Sequence, residues 1–384
     1  MENERLYQLA LSRVPGIGPV FAKRLIEHLG DPETIFRTPT TTLEKIPGIG
    51  QTRATAIQHF KEFSILEKEL AFCTKYTIRP LFYTDKDYPQ RLLPHADTPI
   101  LLFYKGNADL NAQKVVSVIG TRSPTDYGKQ MTDTLIRDMA GPDTLVISGL
   151  AYGIDAAAHK AALQHDLPTV GVLGHGLGQI YPGLNRKLAI AMANNGGLLT
   201  EYPSGMGPEN HHFPRRNRIV AAICDALVVI ETGLVGGSLL TVTNALALNK
   251  KVFALPGRIT DPKSAGCNSL IQTGKASCLT SGTQLLETMG WLPLSGNGAS
   301  RQTSLFPISG SIATGAASGS AGELPKSLEE TVLLTLLHEK GAQSLDELAA
   351  YADLNNYKVS AILLNLELSG LVVSMPGKVY KLSC

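Results

Sequence analysis

Paired cysteines, long hydrophobic runs and an excess of one charge are all missing from this sequence of 384 residues. Its five cysteines are scattered, without a C-x-x-C pair, at positions Cys73, Cys224, Cys267, Cys278 and Cys384. This argues against a disulfide framework or a zinc cluster and indicates a reducing cytoplasm. No apolar run approaches the ~20 residues of a membrane span, and the N-terminus lacks the pattern of a signal peptide. We therefore expect a cytoplasmic protein without a membrane partner.

Signatures of nucleotide cofactors and metals are also missing. No G-x-G-x-x-G follows the first strand of the α/β region, and no G-x-x-x-x-G-K-[ST] occurs anywhere. The histidines of this region stand without a carboxylate or cysteine at a ligand spacing: His159, His175, His211 and His212. Asp155 has only His159 beside it, so we expect it to cap or orient a helix. These absences predict a binding protein with no cofactor, no metal and no enzymatic activity.

The formal charge of +2 is nearly balanced. Any nucleic-acid site must therefore be a local basic feature and not a field over a whole domain. Such a feature stands in Phe213-Pro214-Arg215-Arg216-Asn217-Arg218, which places three guanidinium groups ahead of an apolar helix. Guanidinium groups bind phosphate oxygens in bidentate fashion. The arginines could also form a solvated face, but the helix dipole disfavours cations at a helix start, which favours a bound anion.

The middle of the chain alternates short apolar strands with helices. The strands are predicted at 114–120, 144–149, 168–174, 197–202, 226–232 and 251–257. Near-continuous Val, Ile and Leu runs of this length are typical of parallel strands covered on both faces. We therefore predict an α/β domain over residues 76–292 with a Rossmann-like doubly wound, mostly parallel sheet. Its first part, up to about residue 111, is interpreted as a connecting stretch.

The first 75 residues are predicted to be helical and contain an internal repeat. Val14-Pro15-Gly16-Ile17-Gly18 and Ile46-Pro47-Gly48-Ile49-Gly50 each precede a helical segment. The pattern resembles the helix-hairpin-helix motif, whose turn amides contact a DNA phosphate. Residues 1–75 carry ten Lys/Arg and nine Asp/Glu, so packing or partner binding is favoured over DNA contact, and both stay open.

A Gly/Ser/Ala/Thr-rich stretch over 293–324 predicts a flexible linker. Residues 325–384 then read as three helices and a hairpin about Pro376-Gly377, which is a winged-helix pattern, with a capping box of Ser344 and Glu347. This segment carries five Lys/Arg and seven Asp/Glu. That balance favours protein contact over duplex reading.

The residues with binding chemistry all follow strands or open helices at the carboxyl edge of the predicted sheet, where open α/β sheets bind ligands. Tyr152 and Phe213 could stack on bases, although a packing role is equally open. The residues that we expect to bind DNA are Gly120, Thr121, Arg122, Ser148, Gly149, Tyr152, Phe213, Arg215, Arg216, Asn217, Arg218, Gly237 and Ser238.

These segments together resemble the DNA-processing protein A family, also called Smf. The resemblance rests on GTRSPTDYG, SGLAYGIDAAAH, LGHGLGQIYPGLN, TEYPSG, FPRRNRIVA, ETGLVGGSLLT and ALPG, in this order across about residues 80–285. It implies that Arg122 is the principal DNA-contacting arginine, and that Phe213, Arg215, Asn217 and Arg218 match the F-P-x-R-N-R segment. Tyr152 stands where the family often has arginine, and Arg216 could compensate for that missing charge.

The resemblance further implies a single-stranded DNA-binding protein that mediates recombination in natural transformation. Its implied partners are single-stranded DNA, the RecA recombinase and a second copy bound through the Rossmann-like domain. The alternative function is a nucleotide phosphoribohydrolase related to the lysine-decarboxylase-like proteins. Those show P-G-G-x-G-T followed by a glutamate pair, whereas this chain has VGGSLLTVTNA and its Glu231 precedes the glycines.

Overall fold

The computed structural model describes residues 2–292, 328–352, 354–375, 377 and 379–383. The described residues form two compact units, one up to residue 292 and one from residue 328. The predicted linker at 293–324 and Pro376 lie outside the described residues. The proposed domain boundaries stay predictions.

The first unit is built on a nine-stranded sheet. Its strands are β1 (Arg79–Phe82), β2 (Leu101–Gly106), β3 (Lys114–Ile119), β4 (Thr144–Ser148), β5 (Thr169–Val172), β6 (Gly196–Thr200), β7 (Ala226–Val229), β8 (Lys251–Ala254) and β9 (Ser277–Cys278). The six predicted strands are β3 to β8, and each pairs in parallel with its neighbours of that set. The mostly parallel Rossmann-like sheet is thereby confirmed.

Two strands were missed because we interpreted their residues as a connecting stretch. β1 and β2 form an antiparallel pair, and β2 continues antiparallel onto β6 at one side of the sheet. β1 has only four residues, one of them Pro80, and proline within a short run argues against a strand unless that strand lies at an edge. β1 is the first strand in the sheet order, and so an edge strand.

The strand order β1-β2-β6-β5-β4-β3-β7-β8-β9 places the binding residues. From β3 the chain moves outward through β4, β5 and β6, and it then returns to β7 on the other side of β3. The carboxyl ends of β3 and β7 are therefore neighbours at the point where the winding direction reverses. This switch point is where open α/β sheets form a ligand crevice.

Helices cover both faces of the sheet. They are α7 (Asp126–Asp138), α8 (Ile154–Gln164), α9 (Arg186–Asn194), α10 (His212–Ala222), α11 (Gly237–Ala247), α12 (Ala265–Gln272) and α13 (Gly282–Thr288). Successive residues of β3 pack into different cores, since Val115 contributes to one buried cluster and Val116 to another. This burial on both faces explains why the strands read as continuous apolar runs.

The N-terminal part of the same unit is helical, as predicted. Its helices are α1 (Glu2–Arg13), α2 (Pro19–Leu29), α3 (Pro32–Arg37), α4 (Thr40–Leu43), α5 (Gly50–Gln58) and α6 (Phe63–Lys75). The two glycine turns are joined by Arg53, whose Nε donates to Gly16 O at 3.0 Å and whose Nη1 donates to Gly48 O at 2.9 Å. The Arg53 guanidinium also lies 4.0 Å from the centre of the Phe21 ring. One side chain thus ties both repeats together.

The second unit has the predicted winged-helix arrangement. Its elements are α14 (Leu328–Lys340), β10 (Gln343–Ser344), α15 (Leu345–Ala352), α16 (Asn356–Leu368), β11 (Val372–Met375) and β12 (Val379–Leu382). The last two strands form the predicted hairpin, with Val372 opposite Leu382. The capping box is confirmed, because Ser344 N donates to Glu347 Oε2 at 2.9 Å and Glu347 N donates to Ser344 Oγ at 3.3 Å.

Helices long and apolar enough to cross a bilayer do not occur within the described ranges of the chain.

Candidate nucleic-acid interface

A cavity of about 510 Å³ lies at the switch point between β3 and β7. Its walls come from the loops after these strands, the turn before α8 and the first turns of α10 and α11. Nine of the thirteen expected DNA-binding residues line it, namely Gly120, Thr121, Arg122, Gly149, Phe213, Arg216, Asn217, Gly237 and Ser238. The expectation that ligands bind at the carboxyl ends of the strands thus placed most of the expected residues around one cavity. Their contact with DNA stays a prediction.

The loop that carries Arg122 is held rigidly by its backbone. Thr121 N donates to Glu231 O at 2.7 Å, and Thr121 O accepts from Ile154 N at 3.1 Å. A Cβ atom at position 120 would lie 2.6 Å from the Ile154 side chain, so only glycine fits between the loop and α8. The Arg122 side chain is exposed and has no carboxylate partner within the described part of the chain. Its guanidinium is free to bind an anion.

Glu231 anchors the other end of this loop. Its Oε2 accepts from Thr125 N at 2.9 Å, and its Oε1 accepts from the Thr125 hydroxyl. The side chain is almost fully buried and does not line the cavity. Its role is therefore to position the loop that precedes α7.

Aromatic side chains stand beside Arg122. Its guanidinium carbon lies 5.8 Å from the centre of the Phe213 ring, and the ring of Tyr181 lies 5.9 Å from that of Phe213. Tyr152 joins them around a small adjoining cavity of about 50 Å³, and 41% of its surface is exposed. Two exposed tyrosine rings and the half-buried Phe213 ring next to a guanidinium form a combination on which unpaired bases can stack.

The start of α11 adds backbone donors to the opposite wall. Thr232 and Ser238 share a hydrogen bond of 2.7 Å between their hydroxyls, and Asn217 Nδ2 donates to Gly237 O at 3.3 Å. Within the described part of the chain, no side chain caps the N-terminus of α11. Because the first amides of a helix lack intrahelical acceptors and carry the positive end of its dipole, this wall favours an anion.

Arg216 does not have the exposed position that we expected. It is only 4% exposed, and its Nη1 donates to the carbonyls of Gly149 and Val172. Burial lowers the pKa of Arg216, an effect opposed by the nearby charge of Asp155. The guanidinium is thus held in the cavity wall by backbone carbonyls, beside Arg122 and Tyr152. Its compensation for the missing charge at Tyr152 stays a prediction. It is also Arg216, and not Arg215, that stands at the arginine before Asn in the F-P-x-R-N-R pattern.

The turn before α8 is organised around Asp155, which confirms its expected orienting role. Its Oδ2 accepts from Gly149 N at 3.2 Å and from Ala151 N at 3.4 Å. Burial raises the pKa of Asp155, an effect opposed by Arg216. Ser148 differs from our expectation, because it is fully buried and its Oγ donates to Val118 O at 2.6 Å. Its side chain links two strands and does not face the cavity.

Arg215 and Arg218 also differ from our expectation. Both line a second cavity of about 290 Å³, whose other walls include N-terminal helical residues. Arg218 Nη2 donates to Glu201 Oε2 at 2.5 Å, and its Nη1 donates to Asp97 O. Burial raises the pKa of Glu201, and Arg218 opposes that rise. Arg218 is thus paired with a carboxylate in a different cavity from Arg122. Of the pair Arg215 and Arg218, Arg215 is exposed and Arg218 is half-buried.

The period of α10 explains this division. Residues four apart lie on one face of a helix, so Phe213 and Asn217 both line the first cavity. His212 and Arg216 are likewise four apart, and both are buried. The sequence contained this signal, since Arg216 precedes the buried Ile219 and Val220 by three and four residues.

Our statement that no carboxylate stands near the histidines was wrong for one pair. Glu209, His211 and His212 place ligand atoms within 4.8 Å of one another. His159 and His175 lie elsewhere, and their Nδ1 atoms contact Thr169 Oγ1 at 2.7 Å and Gly176 O at 2.9 Å. A carboxylate two residues before a histidine pair was the signal that we overlooked.

Several cavity residues were not predicted. Tyr181, Asn210, Thr232 and Val235 line the main cavity. Each follows a strand that ends at this edge, so the strand-end rule covers them. Their residue types did not distinguish them from ordinary loop residues.

Comparison with known proteins places these observations in a family. The family described as DNA recombination-mediator protein A matches residues 79–290, which is more than half of the chain. The chain belongs to this family. A SAM-like helix-hairpin-helix tandem matches residues 9–59, and a DprA winged helix domain matches residues 318–378. The resemblance inferred from the motifs is thereby confirmed.

Relatives within the DNA recombination-mediator protein A family cover much of the chain. Protein Smf of Synechocystis sp. is 34% identical over 401 residues, which cover 99% of each chain. The DNA processing protein DprA of Streptococcus pneumoniae is 42% identical over 202 residues, which cover 53% of this chain and 71% of the relative.

Solved structures of this family share the fold. The X-ray structure of DprA from Streptococcus pneumoniae superposes with a TM-score of 0.64 at 32% identity, and the match covers 75% of this chain and 98% of that one. A structure of DprA from Helicobacter pylori gives a TM-score of 0.51 at 31% identity, covering 56% of this chain and 96% of that one. The Helicobacter pylori protein binds single-stranded DNA.

Proposed function

We propose that this protein binds single-stranded DNA without regard to sequence and acts as a recombination mediator in natural transformation. The observation that carries the proposal is the grouping of Arg122, Phe213 and the uncapped start of α11 around one cavity. The Helicobacter pylori relative, whose structure concerns single-stranded DNA binding, supports it.

The chemistry of the cavity fits an unpaired strand. Phe213, Tyr152 and Tyr181 offer ring faces, on which every base can stack because each has a π-face. Arg122 and the amides at the start of α11 are donors for phosphate oxygens. Neither kind of contact reads a base edge, and stacking requires bases that are not paired. The proposed specificity is therefore for single strands of any sequence.

The proposed partners follow from the family. We propose that the protein forms a homodimer through the Rossmann-like region and delivers bound DNA to the RecA recombinase. Light scattering on the full chain tests the first proposal, with twice the monomer mass expected. RecA filament formation on single-stranded DNA, with and without this protein, tests the second.

The DNA site is tested by oligonucleotide binding of Arg122→Ala. A charged hydrogen bond is worth about 1.5–3 kcal/mol, so the variant should bind at least about tenfold more weakly. The loss should be equal for all sequences. The slope of log affinity against log salt should fall by about 0.7 in magnitude, for one phosphate contact less. Fluorescence anisotropy of labelled single strands at several salt concentrations measures both quantities.

Arg137→Ala is the matched control. Arg137 is an exposed arginine in the last turn of α7, away from the carboxyl edge of the sheet, and its loss should leave affinity and salt slope unchanged. If Arg122→Ala bound single strands as tightly as the parent at every salt concentration, the site would lie elsewhere.

The hydrolase alternative needs a pair of acids at the cavity. Asp155 is the one carboxylate among the lining residues that the structure describes, and its Oδ2 already accepts two backbone amides. Incubation with nucleoside monophosphates should therefore release no free base. Robust release would support the hydrolase instead.

A further inference from the structure

Three side chains with metal-binding atoms meet just before and at the start of α10. Glu209, His211 and His212 bring one carboxylate oxygen and two imidazole nitrogens within 4.8 Å of one another. The Nδ1 atom of His211 lies 3.4 Å from Glu209 Oε2. Glu209 and His211 are exposed, whereas His212 is buried, so the group is open to solvent on one side.

His212 gives an independent indication of a ligand. The side chain is 4% exposed, and among the residues that the structure describes its buried Nδ1 has no hydrogen-bond partner. Its ring is fixed between two neighbours, with ring centres 4.2 Å from Tyr202 and 4.4 Å from His211. Leaving a buried polar atom unpaired costs about 1–3 kcal/mol. A cation bound through Nδ1 would remove that cost.

We propose that Glu209, His211 and His212 form a binding site for a divalent transition metal of the zinc class. Two imidazoles and one carboxylate are ligands that suit zinc, copper, iron or nickel, whereas calcium and magnesium prefer oxygen alone. The metal–ligand distances of about 2.0–2.2 Å in tetrahedral zinc sites imply ligands about 3.3–3.6 Å apart. The Glu209–His211 distance already matches this. The fourth position would hold water or another small ligand.

The position of the site gives the metal a structural effect. Phe213, which lines the cavity at the switch point between β3 and β7, follows His212 directly in the chain. A metal on these ligands would join the segment that leads into α10 to the first residue of that helix. Since a ligand that binds only the folded state stabilises it, zinc should raise the midpoint of thermal unfolding. The site does not depend on the proposed DNA-binding function.

Competition between the full-length protein and a chromophoric zinc chelator tests the site. Cys278→Ser and Cys384→Ser should be present in every sample, so that their thiols do not bind zinc. Cys278 is exposed, whereas the other described cysteines are buried. We expect one zinc ion per chain in this background. Glu209→Gln and His211→Ala should each weaken binding at least about tenfold, as expected for loss of a ligand.

His28→Ala is the matched control, because His28 is an exposed histidine on the second N-terminal helix. It should bind zinc as tightly as the parent background. Glu209 and His211 are exposed, so these variants should remain folded, and circular dichroism verifies this. Absence of zinc binding by the parent background, or equal affinity in the Glu209 and His211 variants, would refute the site.

Discussion

At the scale of single residues, Arg216 shows that a charged side chain in a basic run can serve the interior. Its guanidinium bridges two strand-end carbonyls and offsets the charge of buried Asp155. Removing the partner of a buried charge typically costs about 3–5 kcal/mol. Arg216→Met should therefore lower the free energy of unfolding by about that amount, as measured by chemical denaturation.

Arg215→Met is the control for this prediction, since Arg215 is the exposed neighbour on the same helix. It should change the free energy of unfolding by less than about 0.5 kcal/mol. Parental stability of Arg216→Met together with weakened DNA binding would show that Arg216 contacts phosphate after all.

His159 makes a second residue-scale prediction, about pH. Burial lowers its pKa to about 3, whereas an unfolded histidine titrates near pH ~6.5. The unfolded state therefore binds the proton first as the pH falls. The neutral His159 therefore costs the folded state nothing above about pH 6.5. Between about pH 6.5 and pH 3 the free energy of unfolding falls as the pH falls, by up to about 1.4 kcal/mol per pH unit.

Denaturant unfolding at about pH 7.5, 6 and 5 measures this effect. His159→Gln should lose the part of the pH dependence that His159 causes, so its stability should fall less on acidification than that of the parent. His28→Gln, at an exposed histidine, should follow the parent. Identical pH dependence in the parent and His159→Gln would show that His159 is not held neutral.

At the scale of elements, the side chains of helix α10 lie in three different environments. α10 presents Phe213 and Asn217 to the cavity at the switch point, His212 to the interior, and Arg215 and Arg218 to the second cavity. Arg216 is buried and forms part of the wall of the switch-point cavity. Consecutive residues of a helix point about 100° apart. A run of arginines on a helix therefore cannot form one continuous cationic surface.

The N-terminal helices make the element-scale prediction. Arg53 joins both glycine turns through two hydrogen bonds and contacts the ring of Phe21. Arg53→Ala should lower the stability of this helical region by about 1 kcal/mol, because the lost hydrogen bonds are partly exposed to water. Thermal unfolding followed by circular dichroism measures the change.

Arg37→Ala is the control for Arg53. The Arg37 side chain is 72% exposed and pairs with Glu33 one turn earlier, a kind of pair worth about 0.3–0.5 kcal/mol. If the two substitutions lowered the free energy of unfolding equally, the hydrogen bonds of Arg53 to the two glycine turns would not contribute to stability.

At the scale of the whole molecule, the residues that line the switch-point cavity all belong to the first unit. A shortened chain that ends at residue 292 should therefore fold. Its midpoint of thermal unfolding should equal that of the first unit within the full protein. Its affinity for single strands should stay within about twofold of the parent, with an unchanged salt slope. Anisotropy titrations of both proteins, side by side, measure this. A larger loss of affinity would assign part of the DNA surface to the winged-helix unit.

The amino-acid sequence by itself determined the six parallel strands, the two glycine turns and the winged-helix elements. These features follow from local patterns, because strands buried on both faces must be apolar throughout and tight turns before helices require glycine. The strand-end rule also brought Arg122, Phe213 and Gly237 to one cavity.

Only the tertiary structure decided what each charged residue of α10 meets. Arg218 pairs with Glu201 and with the carbonyl of Asp97, and Arg216 reaches the carbonyls of Gly149 and Val172. These partners come from other strands and loops, so local spacing does not reveal them. Burial and long-range pairing are properties of the packed chain, and they determine which guanidinium groups remain free for a ligand.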